Sequence, residues 1–212
     1  MDTKERIRLR AQELFMQYGI RSVSMDDIAT QLGMSKKTIY QFFADKDELV
    51  EAVVTSEIGQ MQGDCMDCTD QAVDAVDEIF LMMDKIDAQI RPMNPMIMYD
   101  LEKFHFKAFQ QFMQHKNKFL IDMIRKNMEW GISDELYRPE LNVDVISKFR
   151  LESVMIPFNI GLFAPSRYNL ADVTQEILEH YIYGLVTPKG YKLIQKYKQE
   201  RTKKISSNAK TK

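Results

Sequence analysis

The sequence has 212 residues, of which 45% are hydrophobic and 28% are charged, and this composition excludes a wholly disordered chain and allows a sizeable core. Eight glycines and six prolines argue against a turn-rich all-β fold, while fifteen methionines suit a helical protein with an adaptable interior. The net charge of −2 hides an uneven distribution, since residues 1–50 sum to zero, 51–188 to −10 and 189–212 to +8. Because phosphate contact requires cationic groups, the acidic middle segment is excluded as a DNA-binding surface.

The first predicted element is an amphipathic helix from Lys4 to Tyr18, in which apolar residues recur at spacings of three and four. Gly19 ends this helix. Charged residues crowd its first two turns and leave no apolar stretch for a signal peptide. The longest apolar run of the chain, 154–164, contains Pro157 and is too short to span a membrane. We therefore expect a cytoplasmic protein without a membrane partner.

Two short helices and a long one follow, and each begins at a capping residue. Ser24 with Asp27 forms a start of the capping-box kind, and Ser35 caps the next helix, Lys36 to Phe43. Asp45 begins a third, longer helix in the same way. A short helix, a glycine-containing turn and a second short helix with a polar outer face make a helix-turn-helix.

The second helix of such a motif fits the major groove of DNA, and its N-terminal side chains reach base edges. We predict that four residues contact bases: Lys36, Lys37, Thr38 and Gln41. We predict that four others hold phosphates: Ser24, Ser35, Tyr40 and Lys46. The pattern alone leaves one alternative, an ordinary three-helix bundle with scattered lysines.

These residues resemble a known family. The stretch Ser24–Phe43, which contains Ser-Met-Asp-Asp-Ile-Ala and Leu-Gly-Met-Ser-Lys-Lys-Thr-Ile-Tyr-Gln-Phe-Phe, is similar to the DNA-binding domain of TetR-type (tetracycline-repressor-like) regulators. Phe15–Gly19 and Lys46–Leu49 match as well, so that about fifty residues agree. The resemblance implies an all-helical homodimer that binds a palindromic double-stranded operator, usually as a repressor, and often releases it when a small molecule binds.

The acidic remainder is interpreted as a larger helical domain for effector binding and dimerisation. Helical spacing recurs in five segments: 73–91, 96–104, 106–130, 143–163 and 169–185. A last helix is expected over Tyr191–Arg201. We place the DNA-binding domain at 1–50, the second domain at 51–205 and a basic flexible tail at 206–212.

In the family that the N-terminal residues resemble, the last two long helices of the core pack against their symmetry mates as a four-helix bundle. The resemblance therefore implies that 143–163 and 169–185 form the dimer interface. We place that role on seven residues: Ile146, Phe149, Val154, Phe158, Ile177, Tyr181 and Leu185. Pro157 departs from an uninterrupted helix, because proline removes one backbone hydrogen bond and kinks the axis. The geometry of the bundle stays open at this point.

The many Met and Phe residues favour an internal pocket, since flexible thioethers and flat rings suit apolar ligands. The resemblance places a cavity among the helices between Met61 and Phe163, and we expect five residues to line it: Met82, Phe109, Met113, Met123 and Met155. The alternative is that these side chains simply fill the core. Few charged residues fall on the inward stripes of these helices, so we expect a small, largely apolar effector.

Cys65 and Cys68 form a C-x-x-C pair, which can be a redox centre or half of a zinc site. The three histidines lie far apart and supply no second pair of ligands, so we expect no metal site and two ordinary small side chains one helical turn apart. The sequence also lacks a Gly-rich phosphate loop, a nucleophile elbow and paired carboxylates. We therefore expect neither an enzyme nor a cofactor.

Three hypotheses remain, and the leading one is a ligand-responsive, dimeric transcriptional repressor. The second is a DNA-binding regulator without a small-molecule effector, controlled by a protein partner or by the redox state of Cys65 and Cys68. An interior filled to its centre would favour this second hypothesis. The third is an enzyme or carrier that keeps the N-terminal domain as a scaffold, and no nucleophile, base or cofactor loop supports it.

Overall fold

The computed structural model describes residues 2–209, and the side chains of 2–202. Within that range the regular structure is helical, apart from one isolated antiparallel bridge between Tyr137 and Val186. The bounds of its α-helices are α1 Thr3–Tyr18, α2 Met25–Leu32, α3 Lys36–Tyr40, α4 Lys46–Gln71, α5 Ala75–Ile90, α6 Ile97–Phe104, α7 Phe106–His115, α8 Ile121–Ser133, α9 Val143–Ser153, α10 Leu170–Leu185 and α11 Pro188–Ala209. A π-helical turn, Lys116–Leu120, joins α7 to α8. The predicted all-α fold is confirmed.

The capping residues begin α2 and α3 as predicted. Ser24 Oγ accepts a hydrogen bond from the Asp27 N–H at 3.1 Å, and the Asp27 carboxylate accepts one from the Ser24 N–H at 2.8 Å. The α3 helix is shorter than predicted and ends at Tyr40 instead of Phe43. The N–H groups of Phe42 and Phe43 both bond to the Ile39 carbonyl, and this tight turn places the Phe43 ring in the core at 1% exposure.

The N-terminal helices and the larger domain share one hydrophobic core. Buried side chains of α1 and α4, such as Phe15 and Val50, pack in the same cluster as Ile97, Met98 and Leu101 of α6. Helix α4 runs for 26 residues and passes the expected boundary at residue 50 without interruption. The N-terminal helices and the larger domain are therefore joined by packed side chains and a continuous helix rather than by a linker.

A second hydrophobic core lies beside α8 and contains the Tyr137 side chain. That side chain is fully buried, and its hydroxyl donates to the Ala75 carbonyl at 2.9 Å. Gly131 permits this arrangement, because a Cβ at that position would lie 2.1 Å from the Tyr137 ring. The predicted helical segment 106–130 ends three residues too early, since α8 continues to Ser133.

The helix predicted over 143–163 is wrong in its second half. Helix α9 ends at Ser153, four residues before Pro157, because the proline ring would clash with the carbonyl of residue 153 and has no N–H to donate to it. The chain continues through a short 3₁₀ turn, Ile156–Phe158, to Asn169. The Asn169 side chain then caps α10 by accepting the N–H groups of the next turn.

Helix α11 is longer than the predicted 191–201, and it begins with Pro188 at its first position, where the missing N–H costs nothing. It contains residues 206–209 of the segment expected as a tail, while 210–212 lie outside the described residues. No helix in the described range is both long enough and apolar enough to cross a membrane.

Candidate DNA interface and interior cavity

Helix α3 is fixed by one apolar side chain and presents polar ones outward. Ile39 is fully buried against α1 and α2, whereas Lys37, Tyr40 and Gln41 are exposed. These three side chains have no hydrogen-bond or ion-pair partner within the described part of the chain. They are therefore free to contact another molecule, and they form one continuous polar surface with the N-terminus of α3.

Lys36 has a partner that the sequence analysis did not assign to it. Its ammonium lies 2.9 Å from a carboxylate oxygen of Asp26 on α2, and both side chains are more than half exposed. The hydrogen bond that Lys36 donates to Asp26 raises the pKa of Lys36, so the lysine stays cationic. A phosphate or base that approaches Lys36 competes with Asp26 for the ammonium.

The two capping serines lie at the same surface. Ser24 and Ser35 are exposed, but the oxygen of each already holds the backbone N–H three residues later. Thr38 is half-buried, and its hydroxyl lies 2.8 Å from Ser35 Oγ. These three side chains define how α2 and α3 begin before any DNA contact is made.

Lys46, which we predicted to hold a phosphate, has partners within the chain. Its ammonium donates to the Ile20 carbonyl at 2.6 Å and lies 5.9 Å from the centre of the Phe15 ring. Burial lowers its pKa, and Asp100 is the acid that most opposes this effect, followed by Asp47 and by Asp27 at the start of α2.

The end of α1 is clamped by α6 and the segment before it. Asp100, which is 4% exposed, accepts the Arg21 N–H at 2.9 Å, and the Asn94 N–H donates to the Met16 carbonyl at 2.6 Å. Gly19 makes the close approach possible, since it has a φ of +83° and a Cβ there would lie 3.3 Å from Asp100. We call these two hydrogen bonds the α1–α6 clamp.

A cavity of about 310 Å³ is lined by side chains of α1, α4, α5, α6, α7, α8, α9 and α10. Its wall is mainly Met, Ile, Val and Leu side chains. Phe15, Met16 and Ile20 contribute from the N-terminal helices, so the cavity touches both the DNA-binding helices and the larger domain. The interior is therefore not filled to its centre, whereas a filled interior would favour the hypothesis of a regulator without a small-molecule effector.

Two of the five predicted lining residues are in the cavity wall, Met82 and Met123. Phe109 and Met155 are half-buried and pack against the N-terminal core, while Met113 lines a shallow groove on the outside of α7. The π-helical turn explains the difference, because its extra residue rotates α7 relative to α8 and places Met113 and Met123 on different faces. Phe112 lines the cavity instead and was missed.

The cavity wall carries more charge than we expected. Arg150, Lys85, Asp64 and Glu78 all line it. Lys85 pairs with Asp64 at 2.8 Å, and this bond holds the pKa of Asp64 below its ordinary value. Arg150 forms no such ion pair with any described residue. The expectation of few inward charges was wrong, since α4 and α5 contribute Asp64, Glu78 and Lys85 to the wall and α9 contributes Arg150.

The seven residues expected at a dimer interface differ in their exposure to solvent, and most of them are turned inward. Phe149 is 55% exposed, whereas Ile146 packs against the second core. The other five are turned inward, either into the cavity wall or into the core: Val154, Phe158, Ile177, Tyr181 and Leu185. The other large apolar side chains that are exposed between residues 143 and 169 are Val145, Ile156, Leu162 and Tyr168.

The two cysteines are buried free thiols on α4. Burial raises the pKa of Cys65 to about 12 and also raises that of Cys68. Both therefore stay protonated at neutral pH and are poor nucleophiles. Across the described residues, no group of three or more His, Cys, Asp and Glu side chains converges as metal ligands would.

Residues 7–53 match the family model described as bacterial regulatory proteins of the tetR family. An uncharacterized HTH-type transcriptional regulator of Bacillus subtilis, YvaF, is 30% identical over 106 residues, which are 50% of this chain and 55% of that protein. The HTH-type transcriptional repressor KstR2 of Mycolicibacterium smegmatis is 23% identical over 186 residues, which are 86% of this chain and 90% of KstR2.

A solved structure with the same fold is the transcriptional regulator FadR from Bacillus subtilis in complex with stearoyl-CoA, with a TM-score of 0.66 and 16% identity. The alignment covers 85% of this chain and 98% of FadR. All three relatives are described as transcriptional regulators. Residues 7–53 thus carry a helix-turn-helix of the tetR-family type, and the chain as a whole shares the all-helical fold of the FadR structure.

Proposed function

We propose that the protein is a homodimeric repressor that binds a palindromic operator through α3 and releases it when a small molecule enters the cavity. The observation that carries this proposal is the outer face of α3, where Lys37, Tyr40 and Gln41 are exposed and unpaired within the described residues. Two such helices, one per protomer, enter successive major grooves about one helical turn of DNA apart.

The contacts of α3 divide by type. Lys37 and Gln41 read base edges, and Tyr40 donates its hydroxyl to a phosphate. Lys36 joins them once DNA has displaced Asp26. Lys46 is left out of this set, since its ammonium is bonded to the Ile20 carbonyl and supports the α1–α6 clamp.

The shared wall of the cavity supports control by an effector. A ligand there contacts Phe15, Met16 and Ile20 next to the α1–α6 clamp, so it bears directly on the position of the DNA-binding helices. It releases the operator if it fits best in a shape whose two α3 helices no longer match successive grooves. KstR2 is named a repressor, which agrees with this sign of control.

The alternative of a redox-controlled regulator without an effector has less support. The void of about 310 Å³ is larger than packing defects in ordinary cores, and the raised pKa values of Cys65 and Cys68 oppose thiolate chemistry. Control by a protein partner would explain neither the void nor the raised pKa values of the two thiols.

The homodimer is proposed to form through the exposed apolar face of α9 and the segment after it. Val145 and Phe149 are exposed and lie four residues apart on one side of α9, and the segment after α9 exposes three more large apolar side chains, Ile156, Leu162 and Tyr168. Exposed apolar patches of this kind mark protein interfaces, and a two-fold dimer uses the same patch twice.

The test uses a labelled duplex obtained by selecting wild-type binders from a random DNA library. Lys37→Ala and Tyr40→Ala are each expected to weaken binding about tenfold, and Lys37→Ala also lowers the slope of log affinity against log salt by about 1. The control is Lys118→Ala, an exposed lysine on the π-helical turn with no role in DNA docking. Unchanged anisotropy titrations for both α3 variants would rule out this docking mode.

A further inference from the structure

One cavity residue, Arg150 on α9, is a buried cation without an anionic partner among the described residues. It is 9% exposed and lines the cavity. Its Nη1 donates to Ser153 Oγ at 2.9 Å, and its guanidinium lies 5.5 Å from the centre of the Tyr181 ring. No carboxylate pairs with it among the side chains of residues 2–202.

Burial of Arg150 without a counter-charge is unfavourable. A buried cation loses part of its hydration, and the Tyr181 ring face compensates only part of that loss. Burial accordingly lowers the pKa of Arg150, yet a guanidinium keeps its proton in proteins. A bound anion would restore what burial removes.

The unpaired edge of the guanidinium has a definite shape. Because Nη1 is taken by Ser153, the Nε and Nη2 groups remain as two parallel donors without a partner in the described structure. Two parallel N–H groups match the two oxygens of a carboxylate. The Tyr181 hydroxyl, also in the cavity wall and also without a hydrogen-bond partner there, supplies a third donor.

The other charged groups of the cavity are already paired or hydrogen-bonded. Lys85 is bonded to Asp64, and the Glu78 carboxylate accepts hydrogen bonds from Thr69 at 2.5 Å and Asn127 at 2.7 Å. Glu57 accepts a hydrogen bond from Gln12 of α1. Most of the remaining wall is apolar, and it includes Met123, Val154, Phe158 and Ile177.

We propose that the effector is an anionic amphiphile, whose carboxylate pairs with the Nε–Nη2 edge of Arg150 and whose apolar body fills the Met- and Ile-lined part of the cavity. This inference rests on the proposed control by an effector and assigns its chemical class. It replaces the expectation of a purely apolar ligand, because an uncharged molecule would leave Arg150 buried and unpaired.

Isothermal titration calorimetry of the full chain without DNA tests the proposal with matched probes, straight-chain carboxylates from octanoate to dodecanoate and the alcohols of equal length, below their micellar concentrations. Wild type is expected to bind the best carboxylate at least about tenfold more tightly than its alcohol. Arg150→Met is expected to abolish this preference while alcohol binding is kept. Lys85→Gln, which removes the paired cation of the same cavity, is the control and keeps the preference.

Equal binding of acid and alcohol by wild type at every chain length, absence of binding by the whole series, or a preference that survives Arg150→Met would each overturn the proposal. Tyr181→Phe keeps the ring and loses one donor, so it lowers carboxylate affinity alone and serves if Arg150→Met fails to fold. Because no DNA is present, failure here is distinct from failure of operator binding, which the α3 variants test separately.

Discussion

Asp26 is the acidic side chain that limits the basic character of α3. In the free protein its carboxylate holds Lys36, so a DNA phosphate has to compete with it and also approaches a negative charge. Sequence analysis assigned Asp26 no role at the DNA surface, since its position in the first turn of α2 already accounts for it as a charge that opposes the helix dipole.

Asp26→Asn is expected to increase DNA affinity about threefold at low salt and to raise the salt slope by about 1, because Lys36 becomes free to displace a counterion. Fluorescence anisotropy at several salt concentrations measures both quantities. Asp122→Asn is the matched control, since Asp122 also pairs with a lysine, Lys126, but on α8. Equal changes in the two variants would show that total charge, and not Lys36, determines the effect.

His115 carries a buried nitrogen without a partner. Its Nε2 has no hydrogen bond, its Nδ1 lies 3.3 Å from Gln62 Nε2, and its ring stacks on Phe119 with centroids 5.3 Å apart. Burial lowers its pKa below the ordinary value of 6.5. As pH falls, the unfolded chain therefore takes up the proton before the folded chain does. The contribution of neutral His115 to the free energy of unfolding is present above pH 6.5 and is lost as pH falls towards the pKa of His115 in the folded chain.

His115→Phe is expected to keep the ring contact and to remove that loss. The free energy of unfolding should then fall less between about pH 7 and about pH 5 than in wild type, and should be higher at pH 7 by about 1 kcal/mol. Urea denaturation at a series of pH values measures it. His180→Gln, at an exposed position, should retain the wild-type slope. A His115→Phe slope equal to that of wild type would contradict this account.

At the scale of elements, the α1–α6 clamp connects the cavity to the DNA-binding helices. Asp100→Ala leaves the Arg21 N–H unpaired in a partly buried position and removes the acid that most favours the charged form of Lys46. We expect a loss of about 2 kcal/mol in the free energy of unfolding.

Chemical denaturation checks this value against Glu102→Ala, which removes an exposed acid from the same helix α6. The Glu102 variant should lie within about 0.5 kcal/mol of wild type. If both variants lose the same free energy of unfolding, the α1–α6 clamp contributes nothing to stability beyond the general charge of α6.

The starts of the helices were predictable from the sequence, and the relative rotation of neighbouring helices was not. Ser24, Ser35 and Asn169 mark helix starts through hydrogen bonds within one turn, which local sequence encodes. The π-helical turn at 116–120 has no comparable signal, yet it decides which methionines face the cavity. Pro157 was noticed, but its consequence was an end of α9 rather than a kink.

At the scale of the whole molecule, charge and the helix-turn-helix pattern predicted which end of the chain contacts DNA. The dimer face was harder to predict, because an apolar stripe shows that a side is buried and not what buries it. Tyr181 and Leu185 are buried in their own chain, whereas Phe149 remains exposed.

Phe149→Glu is expected to convert the dimer to a monomer, since it places a charge at the centre of the proposed apolar interface. Multi-angle light scattering after size exclusion measures the mass, and anisotropy measures the accompanying loss of operator affinity. Phe106→Glu is the matched control, because Phe106 is 66% exposed on α7, outside that face. A dimeric Phe149 variant would place the interface elsewhere.

The central claim is that a dimer of this chain recognises a specific DNA sequence through α3. The most direct measurement is selection of binding duplexes by the wild-type chain from a random library, followed by anisotropy and stoichiometry on the enriched sequence. The account predicts an inverted repeat whose half-sites lie about one helical turn apart, bound by two chains in preference to a scrambled duplex. No enriched sequence, or equal binding to the scrambled duplex, would contradict it.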